Sequence, residues 1–349
     1  MKKHYLLFAS HSYAYSIMRP LQEEIRRRGD LVAWYLEDTC PDMLQPDEVR
    51  MHSIDEVMAY NPIAVFAPGN WIYDFFPGVK VAVFHGYPIN KRAQKKDDHF
   101  TIRGWFDIYC TQGESSTRNF KKLEEKHRFF KVYETGWCKV DDFFKEEAEP
   151  QTSKERPTIL YGTTFTKGIS SAERLLPYIE KIASKKNWKW ILTFHPKLND
   201  AQLIADYEAM AKRHDNVIFT RVINGAETFR KTDVLLCDSS SIIIEYMLFD
   251  KPVVTFRNIN PGNHLLDVQN EEDIEYAIET ALTHPQQLIE NIHSYASYHE
   301  SHRDGKNCTR ILDAVDDFIA NYKGRIKKKP LNLIRKLKLR WKLKKFYPL

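Results

Sequence analysis

Three consecutive serines follow an apolar run in the second half of the sequence and can bind a phosphate group. The run Val234–Cys237 leads into Asp238, and a helix is predicted over Ser241–Phe249. Hydroxyl groups beside free backbone N–H groups at the positive end of a helix suit a diphosphate. Glu245, one turn further, can accept hydrogen bonds from ribose hydroxyl groups. The same pattern also fits an ordinary helix cap, with Ser240 as the cap and Glu245 in solvent.

Two histidines each come at the end of a predicted strand. His85 follows the run Val79–Phe84 and precedes Gly86, which permits a tight turn, and His195 ends a strand in the second half. Histidine can take or give a proton near neutral pH, so both are candidate catalytic residues. His11, at the end of the first predicted strand, is a weaker candidate on the acceptor side. The sequence has thirteen histidines, and most of them must be structural.

Metal-binding patterns are missing from the sequence. There is no HExxH motif, no DxD motif at a strand end and no carboxylate cluster at ligand spacing. The five cysteines are scattered, odd in number and without CxxC spacing, which indicates reduced thiols rather than disulfides or a zinc site. We therefore expect neither a metal nor another cofactor.

Apolar, β-branched runs alternate with helix-period segments through most of the 349 residues. This alternation predicts an α/β fold with two Rossmann-like domains that face a cleft. The charged, proline-bearing segment 147–157 is typical of a linker. It separates an acceptor domain, residues 1–146, from a nucleotide-donor domain, residues 158–322.

The last 27 residues carry a concentrated positive charge. The chain has a net charge of +5, but twelve basic residues and no acid lie in 323–349, which leaves −7 for residues 1–322. After Pro330, the helical period puts several apolar residues on two neighbouring stripes among basic residues. The stripes are Leu333, Ile334, Leu337 and Trp341, and Leu339, Leu343 and Phe346.

Such a basic amphipathic helix suits the surface of an anionic membrane. Alternatives are a disordered solubilising tail, an RNA-binding tail or, from the Leu-Lys alternation, a strand. We favour the membrane and expect no nucleic acid. No run of about 18 apolar residues predicts a membrane span, and the N-terminus lacks the pattern of a signal peptide. We therefore expect a cytoplasmic protein, peripheral on the inner face of the plasma membrane.

Six short motifs resemble, in order, those of the CDP-glycerol glycerophosphotransferase family. Asp238–Ile242 with Glu245 is similar to the family's D-Y-S-S-I-x-x-[DE] block, with Ser239 in place of tyrosine. Thr135–Asp141 is similar to T-G-x-P-R-x-D, with Lys139 in place of arginine. The other matches are Phe84-His85-Gly86, Ile159–Phe165, Phe194-His195-Pro196, and Asp304-Gly305-Lys306 with Arg310. The resemblance implies a glycosyltransferase-B fold and transfer of glycerol phosphate, or a related polyol phosphate, from a CDP-activated donor.

In the implied reaction, a hydroxyl of a lipid-linked surface glycan or polymer attacks the β-phosphorus of the CDP-polyol, and CMP leaves. We assign His85 as the general base, and His195 as the donor to the diphosphate. Eight further residues are expected to bind the donor: Ser239, Ser240, Ser241, Glu245, Lys139, Thr164, Lys306 and Arg310. Two alternatives stay open, a nucleotide-sugar glycosyltransferase of the same fold and a non-catalytic polymer-binding subunit.

Overall fold

The computed structural model describes residues 2–88, 98–145, 156–223 and 225–344. The predicted linker 147–157 therefore lies outside the described residues, apart from residues 156 and 157. The strands of the described part are β1 (His4–Ala9), β2 (Leu31–Leu36), β3 (Arg50–Met51), β4 (Ala64–Ala67), β5 (Val79–Ala82), β6 (Ile108–Thr111), β7 (Lys131–Glu134), β8 (Thr158–Thr163), β9 (Lys189–Phe194), β10 (Val217–Thr220), β11 (Val234–Cys237), β12 (Val253–Phe256) and β13 (Leu266–Val268).

The helices begin and end near the residues that the apolar period predicts. They are α1 (Tyr13–Arg27), α2 (Ile54–Tyr60), α3 (Glu114–His127), α4 (Ala172–Lys185), α5 (Ala201–Arg213), α6 (Gly225–Lys231), α7 (Ile242–Met247), α8 (Ile274–Leu282), α9 (Gln286–His299), α10 (Asn307–Asn321) and α11 (Leu333–Leu343). Short 3₁₀ helices lie at Asp98–Phe100, Cys138–Phe143 and Glu271–Asp273. No helix of the described residues is both long and apolar enough to cross a bilayer.

The strands form two parallel sheets, one in each of two compact units. The first sheet has the order β3-β2-β1-β4-β5-β6-β7, and the second has the order β10-β9-β8-β11-β12-β13. The central strands are fully buried apolar runs, because helices cover both faces of such sheets. The prediction of an α/β fold with two Rossmann-like sheets is confirmed. The short edge strands β3 and β13 are not predicted, since neither has an apolar run.

The first unit contains the described residues of Met1–Pro88, Gln94–Glu146 and His299–Leu349, and the second contains those of Glu147–Tyr298. The sequence instead predicts a second domain that extends to residue 322. Helix α10 joins the first unit through contacts far apart in sequence. Thr309 donates a hydrogen bond to Glu24 at 3.0 Å, and Arg28 forms an ion pair with Asp313 at 2.8 Å.

The basic C-terminal segment packs on the first unit instead of extending as a free tail. Arg340 of α11 is 1% exposed, and its guanidinium lies 3.1 Å from the Asp74 carboxylate. Gly104 meets the segment so closely that a Cβ atom there would lie 2.7 Å from the Pro330 side chain. Three ion pairs also hold this segment: Arg340 and Lys336 each pair with Asp74, at 3.1 and 3.4 Å, and Lys329 pairs with Asp107 at 2.7 Å.

The two predicted apolar stripes of α11 have different environments. Leu339 and Leu343 pack against the core of the first unit. Ile334 is 72% exposed and Trp341 is 82% exposed, with Leu333 and Leu337 also exposed. The predicted helix is present, and one stripe anchors it while the other is presented outward. Phe346 lies outside the described residues.

Candidate functional site

The strand order reverses beside the first strand of each sheet. The reversal lies between β1 and β4 in the first unit and between β8 and β11 in the second. In open parallel sheets, ligands bind outside the carboxyl ends of the strands at such a switch point. Pro68 directly follows β4, and Asp238 directly follows β11. Each unit therefore has a candidate site at the end of these strands.

His85 lies near the switch point of the first unit, three residues after β5. Its Nδ1 atom is 3.1 Å from the carbonyl oxygen of Pro68. A carbonyl oxygen only accepts hydrogen bonds, so Nδ1 carries the proton, and Nε2 of the neutral ring has a free lone pair. The side chain is exposed. Nε2 of this exposed ring can therefore accept a hydrogen bond or a proton.

The backbone immediately before His85 is strained. Phe84 has φ of 58°, in the left-handed region that bulky residues rarely occupy. Its ring lies 5.2 Å from that of Phe120, and its carbonyl oxygen accepts a hydrogen bond from Trp137 Nε1 at 3.2 Å. Strain of this kind persists only where the surroundings impose it, and it clusters at functional sites. β5 ends at Ala82, two residues earlier than predicted, and the left-handed residue Phe84 directly precedes His85.

Two buried side chains hold the residues that follow His85. Gln112 Nε2 donates to the carbonyl oxygen of Gly86 at 2.9 Å, and the Tyr87 hydroxyl donates to Glu300 at 3.0 Å. Glu300 is 1% exposed, and burial raises its pKa well above the ordinary value. The loop that carries His85 is therefore fixed from the protein interior.

An aromatic side chain lies against the His85 ring. Tyr13, at the start of α1, stacks on His85 with ring centroids 5.3 Å apart and 27° between the planes. The ring of His11 is 5.4 Å from that of Tyr13. Burial raises the pKa of the Tyr13 hydroxyl above its ordinary value. His11, the weaker acceptor-side candidate, thus belongs to the same group of rings as His85.

The switch point of the second unit is organised by Asp238. This carboxylate is fully buried, and it accepts hydrogen bonds from the Thr164 N–H at 2.9 Å and the Thr163 hydroxyl at 2.5 Å. It also accepts from the backbone N–H of Ser171 at 3.0 Å. Burial raises the pKa of Asp238, although these hydrogen bonds oppose the rise. Asp238 therefore ties the loop after β8 to the end of β11.

His195 lies beside this loop, at the end of β9. The backbone N–H of Lys197 donates to Nδ1 of His195 at 3.1 Å, so Nδ1 carries the lone pair and Nε2 carries the proton. The ring lies 4.5 Å from that of Phe165 in the β8 loop. His195 therefore has the tautomer opposite to that of His85. Its Nε2–H can donate a hydrogen bond to a phosphate oxygen.

The three predicted serines have different environments in the second unit. Ser239 is buried, and its hydroxyl oxygen accepts a hydrogen bond from the Ile259 N–H at 2.9 Å. Ser240 and Ser241 are half-buried, and the Ser241 side chain makes no capping bond to α7. Thr164 is only 2% exposed. Ser240 and Ser241 can therefore meet a ligand, whereas Ser239 and Thr164 support the loops from inside.

Glu245 is half-buried, one turn into α7, as the spacing predicts. The structure thus brings one group of predicted residues together at the carboxyl edge of the second sheet. This group consists of His195, Thr164, Ser239, Ser240, Ser241 and Glu245.

The other three predicted donor-binding residues belong to the first unit, with His85. Lys139 Nζ lies 5.2 Å from the ring centroid of Trp137. Arg310 forms a two-bond pair with Asp304, at 2.9 and 2.5 Å, and this guanidinium lowers the pKa of Asp304 to about 2. The Lys306 side chain is exposed. Arg310 is therefore partly occupied by a structural contact.

Two of the sequence motifs meet at the start of α10. The Asp141 carboxylate accepts hydrogen bonds from the N–H groups of Asn307 and Cys308, at 2.8 and 2.7 Å. Gly136 has φ of 76°, and a Cβ atom there would lie 2.3 Å from Asn307 Oδ1. Segments 135–141 and 304–310 therefore form one packed junction, which explains why α10 belongs to the first unit.

Sequence reasoning missed the residues that orient His85. The Pro68 carbonyl, Tyr13, Gln112 and Glu300 act through contacts 17 to 213 residues apart along the chain. No local pattern marks them. Asp238 did carry a signal, since it directly precedes the serines, but only the fold identifies the groups that it binds.

Residues 79–317, about two thirds of the chain, match the family model described as CDP-glycerol:poly(glycerophosphate) glycerophosphotransferase. This range includes both candidate histidines and the junction at α10. No curated protein matches the chain.

Several solved structures have a similar fold. A variant of the wall teichoic acid polymerase TagF is 15% identical, with a TM-score of 0.67 over 93% of this chain and 90% of that chain. A TagF variant soaked with CDPG is 14% identical, with a TM-score of 0.62 over 90% of this chain and 88% of that one. A putative UDP-N-acetylglucosamine 2-epimerase from Listeria monocytogenes is 14% identical, with a TM-score of 0.61 over 92% and 97%. At identities of 14–15%, this structural similarity establishes a shared fold.

Proposed function

The chain belongs to the CDP-glycerol:poly(glycerophosphate) glycerophosphotransferase family, and from that premise we propose how this CDP-glycerol glycerophosphotransferase works. A hydroxyl group of a lipid-linked surface polymer attacks the β-phosphorus of CDP-glycerol. The bond between that phosphorus and the bridging oxygen breaks, and CMP leaves with the electron pair. The product is a polymer extended by one phosphodiester-linked glycerol.

The observation that carries this proposal is the opposite protonation of two histidines. Nε2 of His85 has a free lone pair, because Nδ1 donates to the Pro68 carbonyl oxygen. It takes the proton of the attacking hydroxyl, a contribution of about 10²–10⁴ in rate for a general base. His195 has its proton on Nε2 and donates to the phosphate oxygens as negative charge develops on the leaving CMP.

The donor diphosphate is proposed to bind at the switch point of the second unit. Ser240 and Ser241 offer hydroxyl donors, and Glu245 accepts from the ribose. The Asp238 carboxylate holds the two loops by accepting hydrogen bonds from four donor groups: the Thr163 hydroxyl, the Thr164 N–H, and the N–H and hydroxyl of Ser171. A TagF structure of similar fold was soaked with CDPG, which supports a CDP-linked donor for this architecture.

Lys139 and Lys306 are proposed to add positive charge near the phosphates. Arg310 has a different proposed role, because its guanidinium already binds Asp304. It holds the start of α10, where Lys306 is presented, and reaches the donor only indirectly. Thr164 and Ser239, both buried, are likewise proposed to support the donor site from beneath.

The acceptor is proposed to be membrane-linked, since α11 presents an apolar stripe between basic residues. Ile334 and Trp341 are strongly exposed, and Lys338 and Lys342 are exposed on the same helix. Basic residues near an anionic surface contribute about 1 kcal/mol each. Arg340 and Lys329 are not expected to add to this attraction, because each already pairs with an aspartate.

Vesicle binding tests this membrane role. The double variant Ile334→Ser, Trp341→Ser is expected to leave anionic vesicles while staying folded, because neither side chain packs in the core. The matched control, Ile218→Ser with Val222→Ser, removes two exposed apolar side chains from the second unit. Equal binding by both variants would reject α11 as the membrane surface.

A donor panel tests the reaction. We expect CMP release from CDP-glycerol when a poly(glycerophosphate) acceptor is present, and no UDP or GDP release from nucleotide sugars. UDP release without CMP release would indicate a nucleotide-sugar glycosyltransferase of the same fold. Binding of CDP-glycerol without turnover on any acceptor would indicate a non-catalytic polymer-binding subunit.

A further inference from the structure

A cavity of about 410 Å³ lies in the first unit, beneath the segment that leads into α11. Its floor is formed where the sheet strands begin, by Trp105 and Asp107 before β6 and Phe129 before β7. The opposite wall is formed by residues 323, 324 and 326–332, together with Lys336 of α11. His85 lies beyond the opposite, carboxyl end of β5. The cavity is therefore separate from the proposed transfer site.

Positive charge exceeds negative charge around this cavity. Five lysines line it, against Asp74 and Asp107. Lys329 pairs with Asp107 at 2.7 Å, and Lys336 lies 3.4 Å from Asp74, which also binds Arg340. Among the described residues, no carboxylate forms an ion pair with any of the other three lysines. These are Lys323, Lys327 and Lys328.

Most of the other residues that line the cavity are apolar. Trp105, Phe129, Phe318 and Ile326 contribute side chains to it. Leu331, which is 64% exposed, lies at the edge between the cavity and α11. From there the exposed stripe continues over Leu333, Ile334, Leu337 and Trp341. A ligand with an anionic head and an apolar body would match both kinds of surface.

We propose that this cavity binds the phosphate headgroup of one anionic phospholipid. The ammonium groups of Lys323, Lys327 and Lys328 approach the phosphate oxygens as point charges, and the acyl chains leave past Leu331 toward the stripe. The inference rests on the membrane role proposed for α11 and deepens it. In addition to the general attraction of α11 to negative charge, the first unit would have a specific site for one lipid on the side proposed to face the membrane.

The experiment uses the full chain and a short-chain phosphatidylglycerol below its critical micelle concentration, with binding measured by isothermal titration calorimetry. Lys327→Gln with Lys328→Gln is expected to weaken binding about 30-fold. The control, Lys338→Gln with Lys344→Gln, removes the same charge from α11 outside the cavity. It is expected to change the affinity by less than about twofold.

Two further ligands identify what is recognised. A short-chain phosphatidylcholine should bind at least tenfold more weakly, since its choline opposes the lysines, and inorganic phosphate should bind more weakly than the lipid. Phosphate binding as tight as the lipid's would show a free-anion site and overturn the proposal. So would equal losses in the two lysine variants, or no binding of the lipid.

The same measurements separate this inference from the membrane role of α11. If Ile334→Ser with Trp341→Ser leaves vesicle binding intact, the membrane role fails, whereas the titration with monomeric lipid still reports on the cavity. Vesicle binding that is lost in Ile334→Ser with Trp341→Ser but unchanged in Lys327→Gln with Lys328→Gln would have the opposite meaning. This result would reject the cavity as a lipid site and leave the membrane role of α11 supported.

Discussion

The Nδ1 atom of His85 lies 3.1 Å from the carbonyl oxygen of Pro68. This contact leaves Nε2 as the only nitrogen of the neutral ring that can accept a proton. Tyr13 stacks on the ring, and the residue directly before it, Phe84, has a strained backbone. The sequence indicates a histidine at a strand end, and the fold adds its tautomer, which is the one that the proposed role as a general base requires.

His195 should respond differently to alanine and to glutamine. In the proposed mechanism its Nε2–H donates a hydrogen bond to the phosphate, and a glutamine side-chain amide can supply an N–H group in much the same place. We expect His195→Ala to lower kcat for CMP release by about 10²-fold, and His195→Gln to stay within about tenfold of the unaltered enzyme. Steady-state CMP release measures both. A glutamine variant no better than alanine would argue against the donor role.

Substitution of the serines before α7 should affect either CDP affinity or protein stability, depending on which serine is replaced. Ser240→Ala with Ser241→Ala removes two hydroxyl donors at about 1 kcal/mol each, which raises the Kd for CDP about 30-fold. Ser239→Ala serves as the control, because its hydroxyl binds the Ile259 N–H inside the protein. That variant should lower the Tm with little effect on CDP affinity. Unchanged affinity in the double variant would remove these serines from the donor site.

Asp238→Asn should destabilise the second unit. The asparagine amide keeps one acceptor oxygen, but its NH2 group replaces the other. That NH2 group would face N–H or hydroxyl groups that donate to the carboxylate in the unaltered protein. With the group fully buried, a loss of roughly 2–4 kcal/mol in the free energy of unfolding is expected. Asp200→Asn, at the exposed cap of α5, is the control and should cost less than about 1 kcal/mol. Similar urea midpoints for both variants would contradict the organising role of Asp238.

Glu24 should make part of the stability of the first unit depend on pH. Hydrogen bonds from Arg27 lead the causes that lower its pKa from 4.5 to about 2, with Arg28 and Thr309 contributing. A carboxylate whose pKa is lower in the folded state stabilises the folded protein above pH 4.5. This stabilisation is lost as the pH falls toward 2. Glu24→Gln should therefore cost about 2 kcal/mol at pH 6 and almost nothing near pH 2. A difference in unfolding free energy that stays constant over this range would refute the assignment.

Local patterns predict the elements of this fold well, because buried parallel strands are continuous apolar runs. Most predicted strands and helices lie within one to three residues of the observed ones. The sequence does not predict the edge strand Arg50–Met51, because a two-residue strand with one charged residue contains no apolar run. Whether a segment forms a strand or a helix is thus largely determined by its local sequence.

Assignment of elements to units is instead decided by long-range contacts. Helix α10 follows α9 in the chain, yet Asp141 caps it from 166 residues away. The amphipathic pattern of α11 predicts a helix with two apolar stripes. The stripe of Leu339 and Leu343 packs on the core, and Arg340 of the same helix pairs with Asp74, 266 residues away. Periodicity cannot reveal such partners.

The role of His85 is tested most directly by turnover of His85→Gln, measured as CMP release from CDP-glycerol with a poly(glycerophosphate) acceptor. The amide of glutamine fills the position of the ring but cannot take up a proton, so kcat should fall by about 10²–10⁴-fold. The Kd for CDP-glycerol, measured in parallel, should remain within about threefold, because the diphosphate is proposed to bind in the second unit. A variant that releases CMP at the original rate would show that His85 is not the base.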